Sequence, residues 1–187
     1  MEIDEMEYNR RKSHKAKRGI DKNWFIDAID VKTRFIVSSA YVKQRSKQEL
    51  KKILLKVREN SENTNTIKTD AHVIYKNVVN KSFGFNNKLK KYEIDHQIRN
   101  AKAGEGFNIW IERLHNTFRQ RTQNFRGFHG SIESAYALMK GIEIYYNFIR
   151  KHESLRGKSP SELAIPSLQF QTPNRWLELI QLSNGNN

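Results

Sequence analysis

The sequence predicts an α/β fold: a central mixed sheet of five strands flanked by helices, with a helical C-terminal part. Three observations predict it. β-Branched and aromatic runs fill the first half, strand and helix patterns alternate between Thr66 and Ile94, and apolar residues recur at helical spacing from Leu50, from Trp110 and from Ile132. With 37% hydrophobic residues, including ten Phe, seven Tyr and three Trp, 187 residues can bury a core despite 29% charged content.

The first strand is expected within Met1 to Tyr8. Strands at Trp24 to Ile29 and Phe35 to Val42 complete an antiparallel meander, with Asp30-Val31-Lys32-Thr33 as the turn between them. Ser46 is a good N-cap, and Leu50, Ile53, Leu54 and Val57 after it form one apolar stripe opposite lysines. Thr66 to Asp70 reads as a strand, Ala71 to Asn80 as a helix, Leu89 to Ile94 as the fifth strand, and glycine-containing Asn100 to Phe107 as a mobile loop. Trp110, Ile111, Leu114 and Phe118 mark the next helix. Ile132, Tyr136, Met139 and Ile142 mark another, running to about Lys151. Residues 1–165 form the main domain and 166–187 a tail, docked by Trp176, Leu177, Leu179 and Ile180 and frayed at its end.

Charge and cysteine content narrow the function. Thirty-four Lys and Arg against 20 Asp and Glu give a formal charge of +14, which favours a polyanionic partner, nucleic acid first. Six of the nine positions from 10 to 18 are basic (Arg10, Arg11, Lys12, Lys15, Lys17 and Arg18), a density that suits a hairpin tip in solvent or against phosphate. The absence of cysteine excludes a disulfide framework, a thiolate zinc site, an iron–sulfur cluster and a cysteine nucleophile, and permits a reducing compartment. No stretch has the roughly 20 apolar residues of a membrane span, and MEIDEMEYNR lacks a signal-peptide core, so the chain is read as soluble with no membrane partner.

The acids suggest chemistry. Asp4 on the first strand, Asp70 closing a later strand and Glu112 on a helix can converge at one sheet edge, and hard oxygen ligands suit a pair of Mg²⁺ ions. Each has a plainer account. Asp4 is one of four acids near the start (Glu2, Asp4, Glu5, Glu7), and Asp70 could cap a helix beginning at Ala71. Glu112 lies on a polar helix face with Asn108, His115 and Arg119, where it could pair with Asn116 and Arg119. Asp27 and Asp30 are rival strand acids, Asp30 better suited to the turn. Tyr145, Tyr146 and Ser131 could serve a side-chain nucleophile, but packing and capping explain them more simply.

The segments EIDEMEYN, WFIDAIDVKTRFIVSSAYVKQRSKQEL and TIKTDAHVIY, with NIWIERLHNTFRQRTQNFRGFHGSIESAYALMKGIEIYYNFIRKHESLRGKSPSELA, resemble the catalytic domain of insertion-sequence transposases of the DDE, retroviral-integrase-like superfamily. The resemblance covers about residues 1–165 and is strongest from Ile111-Glu112-Arg113 through Arg126-Gly127-Phe128, with Tyr146-Asn147 and His152 behind. It implies a ribonuclease H-like fold, with Asp4, Asp70 and Glu112 as catalytic, metal-binding triad for two Mg²⁺ or Mn²⁺ ions. The expected reaction is phosphodiester hydrolysis at transposon ends and 3′-hydroxyl transfer to target DNA, in the cytoplasm at the nucleoid, by a homo-oligomer. A noncatalytic DNA-binding remnant and a nuclease without strand transfer are the alternatives. DNA contacts are expected from the Arg10 to Arg18 segment and from Arg113, Arg119, Arg121 and Arg126. Forty-one residues separate Asp70 from Glu112, more than is common in the superfamily, so an insertion is expected near Asp95 to Gly106. Such transposases begin with a DNA-binding region, and this sequence starts three residues before Asp4, so a separate DNA-recognition domain is expected as a partner.

Overall fold

The first strand, β1 (Glu2–Glu7), occupies the middle of the main sheet. The computed structural model describes residues 1–11, 20–61, 64–99, 108–122 and 131–184, with backbone only at 10, 11, 20 and 21. β2 (Arg10–Arg11) and β3 (Ile20–Asp21) pair antiparallel as a hairpin stem, Arg10 opposite Asp21. β4 (Trp24–Ile29) and β5 (Ile36–Val42) then complete the expected meander, with Asp4 opposite Asp27 and Asp27 opposite Ser39. The turn between them closes on Asp30, whose carboxylate accepts the Thr33 amide at 2.8 Å and hydroxyl at 2.7 Å; Arg34 follows with φ of 64°.

α1 (Lys47–Asn60) begins at Ser46, whose hydroxyl accepts the Glu49 amide at 3.2 Å, and it buries Leu50, Ile53, Leu54 and Val57 as the spacing requires. Ser46→Ala should cost about 1 kcal/mol, seen as a lower urea midpoint with an unchanged slope. β6 (Thr66–Asp70) pairs parallel with β1, and the last strand, β9 (Asp95–Arg99), pairs parallel with β6, giving the mixed order β5-β4-β1-β6-β9.

Two expectations are corrected here. The helix after Asp70 is α2 (Tyr75–Phe83), not Ala71 to Asn80, because the Asp70 carboxylate accepts the His72 amide at 2.9 Å and turns the chain before the helix can start. The fifth strand is not Leu89 to Ile94. β7 (Phe85–Asn86) and β8 (Lys91–Tyr92) form a separate small hairpin, in which the Asn86 side chain accepts the Lys88 and Leu89 amides at 3.0 Å and leaves Leu89 exposed. The sheet edge is β9 (Asp95–Arg99). The expected insertion at Asp95 to Gly106 therefore begins with a strand of the main sheet; residues 100–107, read as a mobile loop, lie outside the described residues.

α3 (Ile109–Thr122) and α4 (Ile132–Ile144) follow, and α4 runs into a π turn, Tyr145–Ile149. The side-chain amide of Asn147 there donates to the Ile36 carbonyl at 3.0 Å and its oxygen accepts the Ile36 amide at 2.9 Å, as a neighbouring strand would. α5 (Pro160–Ala164) and α6 (Arg175–Asn184) end the description. Trp176, Leu177 and Ile180 stay exposed and Leu179 is half-buried. What ties α6 down is Arg175, bonded to the Phe148 carbonyl at 3.1 Å and to Glu162 at 3.0 Å, so the expected apolar docking is replaced by a polar one. The last residues, 185–187, are outside the described part.

One apolar cluster (Ile3, Ile26, Leu54, Val57, Ile67, Tyr75, Val79) joins the sheet to α1 and α2. The other (Met6, Phe25, Ile29, Ile36, Ile111, Leu114, Phe118, Met139) joins it to α3 and α4. Each sheet face carries its own core because alternate residues of a strand point to opposite faces.

Candidate active site

Alternation along β1 sends Ile3 and Glu5 to the α1 and α2 side and Glu2, Asp4 and Met6 to the α3 side. On the first side Glu5 is consumed by structure, pairing with Arg45 at 2.8 Å and accepting the Tyr75 hydroxyl. On the second, Asp4 carries the function-like environment. Burial pushes its carboxyl up to about 7; nearby His115 opposes that shift, while the charges of Glu5 and Asp70 add to it.

Asp70 shares that face. Glu2 is the register partner of Lys68 across the parallel β1/β6 pair, and Asp4 and Asp70 each follow two residues later on their strands, close enough for the Asp70 charge to act on the Asp4 carboxyl. Ile67 enters the opposite core, which turns Lys68 and Asp70 toward α3. Neighbouring strands lie roughly 4.8 Å apart. The two aspartates thus share one sheet face on adjacent parallel strands, with Asp70 at the carboxyl end of its strand, where sheets of this kind bind ligands.

Glu112 is delivered by α3, and β1 fixes where α3 begins. The Glu2 carboxylate, buried, accepts the Trp110 amide at 2.9 Å and the Ile111 amide at 3.1 Å. It takes the place of an N-cap side chain: the Oδ1 of Asn108 at that position is buried without a hydrogen-bond partner. One turn beyond Glu112, His115 reaches the sheet. Its Nε2 is 3.1 Å from the Asp27 carboxylate and its Nδ1 is 4.0 Å from that of Asp4. Burial pushes the Asp27 carboxyl up, and the His115 hydrogen bond restrains the shift. The polar helix face expected from the sequence is therefore corrected: Asn108 and His115 are buried against the sheet, and Glu112 and Arg119 are exposed. Arg119 bonds Asn116 at 3.4 Å; the Glu112 amide donates to the Asn108 carbonyl at 3.1 Å, and its carboxylate has no hydrogen-bond or ion-pair partner among the described residues.

The donor set fits a divalent metal. Asp4, Asp70 and Glu112 offer only hard carboxylate oxygens, and the raised Asp4 beside Asp70 is a negative site whose charge a cation would relieve. As they stand, no three acid or histidine side chains among the described residues are gathered closely enough to hold an ion.

Arg113 and Arg121 lie over the rings of Trp110 at 5.1 Å and Tyr145 at 5.2 Å. Arg10 and Arg11 form the backbone of β2; Lys12, Lys15, Lys17, Arg18 and Arg126 lie outside the described residues. Tyr146 is buried, its hydroxyl pushed up to about 12 by that burial, and Ser131 caps α4 by accepting the Ser134 amide at 3.2 Å, so both have structural work. Sequence reasoning missed Glu2 as a cap and His115 as a buried link; among the four acids of EIDEME nothing in the sequence sets Glu2 apart.

Residues 20–153 match the family described as DDE domain, a span that includes Asp70 and Glu112 and begins after Asp4. No curated protein matches the chain. Among solved structures, a chain of the simian T-cell lymphotropic virus intasome in complex with PP2A regulatory subunit B56 gamma is similar at TM-score 0.57 and 12% identity, over 92% of this chain and 58% of that one. The chain thus spans under two thirds of that protein's length. The HTLV-2 integrase catalytic core domain in complex with magnesium is similar at TM-score 0.52 in its dimeric form and 0.53 in its trimeric form, each at 13% identity over 87% of this chain and 93% of that one. The shared fold is the ribonuclease H-like one.

Proposed function

The chain belongs to the DDE-domain family of transposase and integrase-like proteins, and from that premise we propose that it is a metal-dependent DNA transposase catalytic domain. It hydrolyses a phosphodiester at a transposon end and transfers the resulting 3′ hydroxyl to target DNA. The observation that carries the reading is the buried Asp4 carboxyl on the sheet face that α3 covers, within reach of the Asp70 charge, with α3 anchored there by Glu2.

Asp4, Asp70 and Glu112 would hold two Mg²⁺ or Mn²⁺ ions, which when bound supply Lewis acidity to activate the attacking oxygen and stabilise the leaving one. The chain's own groups do the positioning. His115, held by Asp27 at 3.1 Å, keeps its other ring nitrogen toward Asp4 and sets α3 against β1. Glu2 fixes the first turn of α3, and so the height of Glu112 along the sheet. Arg113, Arg119 and Arg121 and the basic hairpin attract DNA through its phosphates. Transposon ends and target DNA are the substrates, with the cytoplasmic nucleoid as setting. The apolar side chains that α6 exposes, Trp176, Leu177, Ile180 and Leu182, support assembly with further copies.

The test is direct. Purified chain is given labelled duplex carrying the element end, with Mg²⁺ or with chelator, and a second duplex as target. Metal-dependent nicking followed by joining of the 3′ end to the target is the expected result. Nicking without joining would make the chain a nuclease, and binding without either would make it a noncatalytic remnant.

A further inference from the structure

On the shoulder of α3 away from Glu112, a cavity of about 160 Å³ opens between α3, the β4–β5 turn and the segment after the π turn. Arg34, Arg113 and Arg150 line it with His152, Trp110 and Tyr146; two hydroxyls, of Thr117 and Ser154, complete the wall, and none of the lining residues is acidic. At 100° per residue, Trp110, Arg113 and Thr117 share one stripe roughly 130° around the helix from Glu112. The cavity is thus separate from the carboxylates.

Three features mark it as built for an anion. First, among the described residues none of the three arginines has a salt-bridge partner, although the Arg34 Nε and Nη1 are buried without any hydrogen bond. Burial lowers the Arg34 pKa; Tyr146 and the charges of Glu2 and Asp30 oppose that shift, and the charge of Arg113 adds to it. Leaving buried guanidinium donors unpaired is costly, and a ligand oxygen is what they lack. Second, the guanidinium of Arg34 is held in place: it lies 3.0 Å from the centre of the Trp110 ring, and its backbone sits at φ 64°, a conformation that a long side chain adopts only where its surroundings enforce it. Third, the Nε2 of His152 is buried without a partner, and its ring packs edge-on against Tyr146 at 4.7 Å. Guanidinium forks and hydroxyls are the groups that recognise phosphate. The volume is below the 300 Å³ or so at which small-molecule pockets begin, which suits a single phosphate group and not a whole nucleotide.

We propose that this cavity is a phosphate subsite that grips one backbone phosphate of a DNA strand lying across α3. The proposal rests on the reading of the chain as a DNA-acting enzyme, and it adds a contact outside the carboxylate site. Phosphate as a free ion shares the same chemistry, and the experiment separates the two sources.

The full chain is labelled with ¹⁵N and the Trp110 indole resonance identified by its loss in Trp110→Phe. Inorganic phosphate and, separately, a short DNA duplex are titrated while that resonance is followed, and DNA affinity is measured at several salt concentrations. The comparison is Arg34→Asn with Arg150→Gln, asparagine being tolerated in left-handed backbone. Both titrants should shift the indole in the parent and neither in the double variant. DNA affinity should fall at least tenfold, and the slope of log affinity against log salt should flatten by about 0.9, one phosphate contact. Arg113 is exposed, so Arg113→Gln leaves the melting temperature unchanged and should weaken phosphate binding about threefold, which keeps the test decisive if the double variant fails to fold. An indole that responds to neither titrant overturns the subsite. A response to inorganic phosphate with DNA affinity and salt slope unaltered overturns the DNA strand as its source. Asp4→Asn should keep both shifts; with those shifts present and cleavage absent even in the parent, the subsite stands and the enzymatic reading falls.

Discussion

Replacing Asp4 by Asn should lower metal-dependent cleavage by about a thousandfold or more while the folded chain survives. A metal ligand's charge is worth several kcal/mol of transition-state stabilisation, and about 1.4 kcal/mol is a factor of ten in rate. Asn keeps the volume and loses the charge. Asp70→Asn and Glu112→Gln should behave alike, and undiminished cleavage in all three would retire the triad. The structure adds a stability signature. Because burial raises the Asp4 carboxyl from 3.8 to about 7, the folded state holds that proton more tightly than the unfolded chain does. In chelator, the parent therefore loses stability as pH rises from about 4 to about 7. Asp4→Asn removes this contribution, so its urea midpoint should fall less over that range and equal or exceed the parent's at pH 7. A midpoint well below the parent's at every pH would give Asp4 a structural role instead.

Truncating Glu2 to Ala should cost about 2–4 kcal/mol, as it orphans two buried amides at a helix start and removes a negative charge from the positive end of α3. Among the described residues the amides of Trp110 and Ile111 have no acceptor besides Glu2, and Asn108 Oδ1 is not bonded to either. Glu2→Gln keeps an oxygen and should cost about 1 kcal/mol, the ordinary worth of a hydrogen bond. Cleavage should fall about a hundredfold in Glu2→Ala even at temperatures where the variant is folded, since displacing a catalytic group by about 1 Å has that effect. Urea unfolding and single-turnover cleavage check the two parts. An Ala variant as stable as the parent would show that α3 finds its place without Glu2.

Much of the fold was legible because its signals are local. Ser46 with Leu50, Ile53, Leu54 and Val57 announces α1, and the β-branched run of Trp24 to Ile29 announces β4. β9 was not legible: its sequence, DHQIR, is polar and half-exposed, as edge strands are, whereas the apolar Leu89 that suggested a strand sits in a turn held by Asn86. Asp70 is a metal-ligand candidate in the sequence, with a helix cap as the plainer alternative; its side chain makes an Asx turn instead, which uses the same acceptor. The acids themselves could be picked out by type and element. Their environment could not, since His115 meets Asp27 across 88 residues and Glu2 meets Trp110 across 108, and no window along the chain contains both partners.

That separation also has a consequence in time. The bonds from Glu2 to the amides of Trp110 and Ile111 close a loop of more than a hundred residues, and long loops close late in folding because their entropy cost precedes any reward. As the chain leaves the ribosome, β1, β4 and β5 can pair with each other long before residue 112 has been made, so Asp4 waits in a half-built sheet. On the proposed reading the three carboxylates can form one site only after α3 has been made and has docked, so the order of folding puts the sheet first and the site after it.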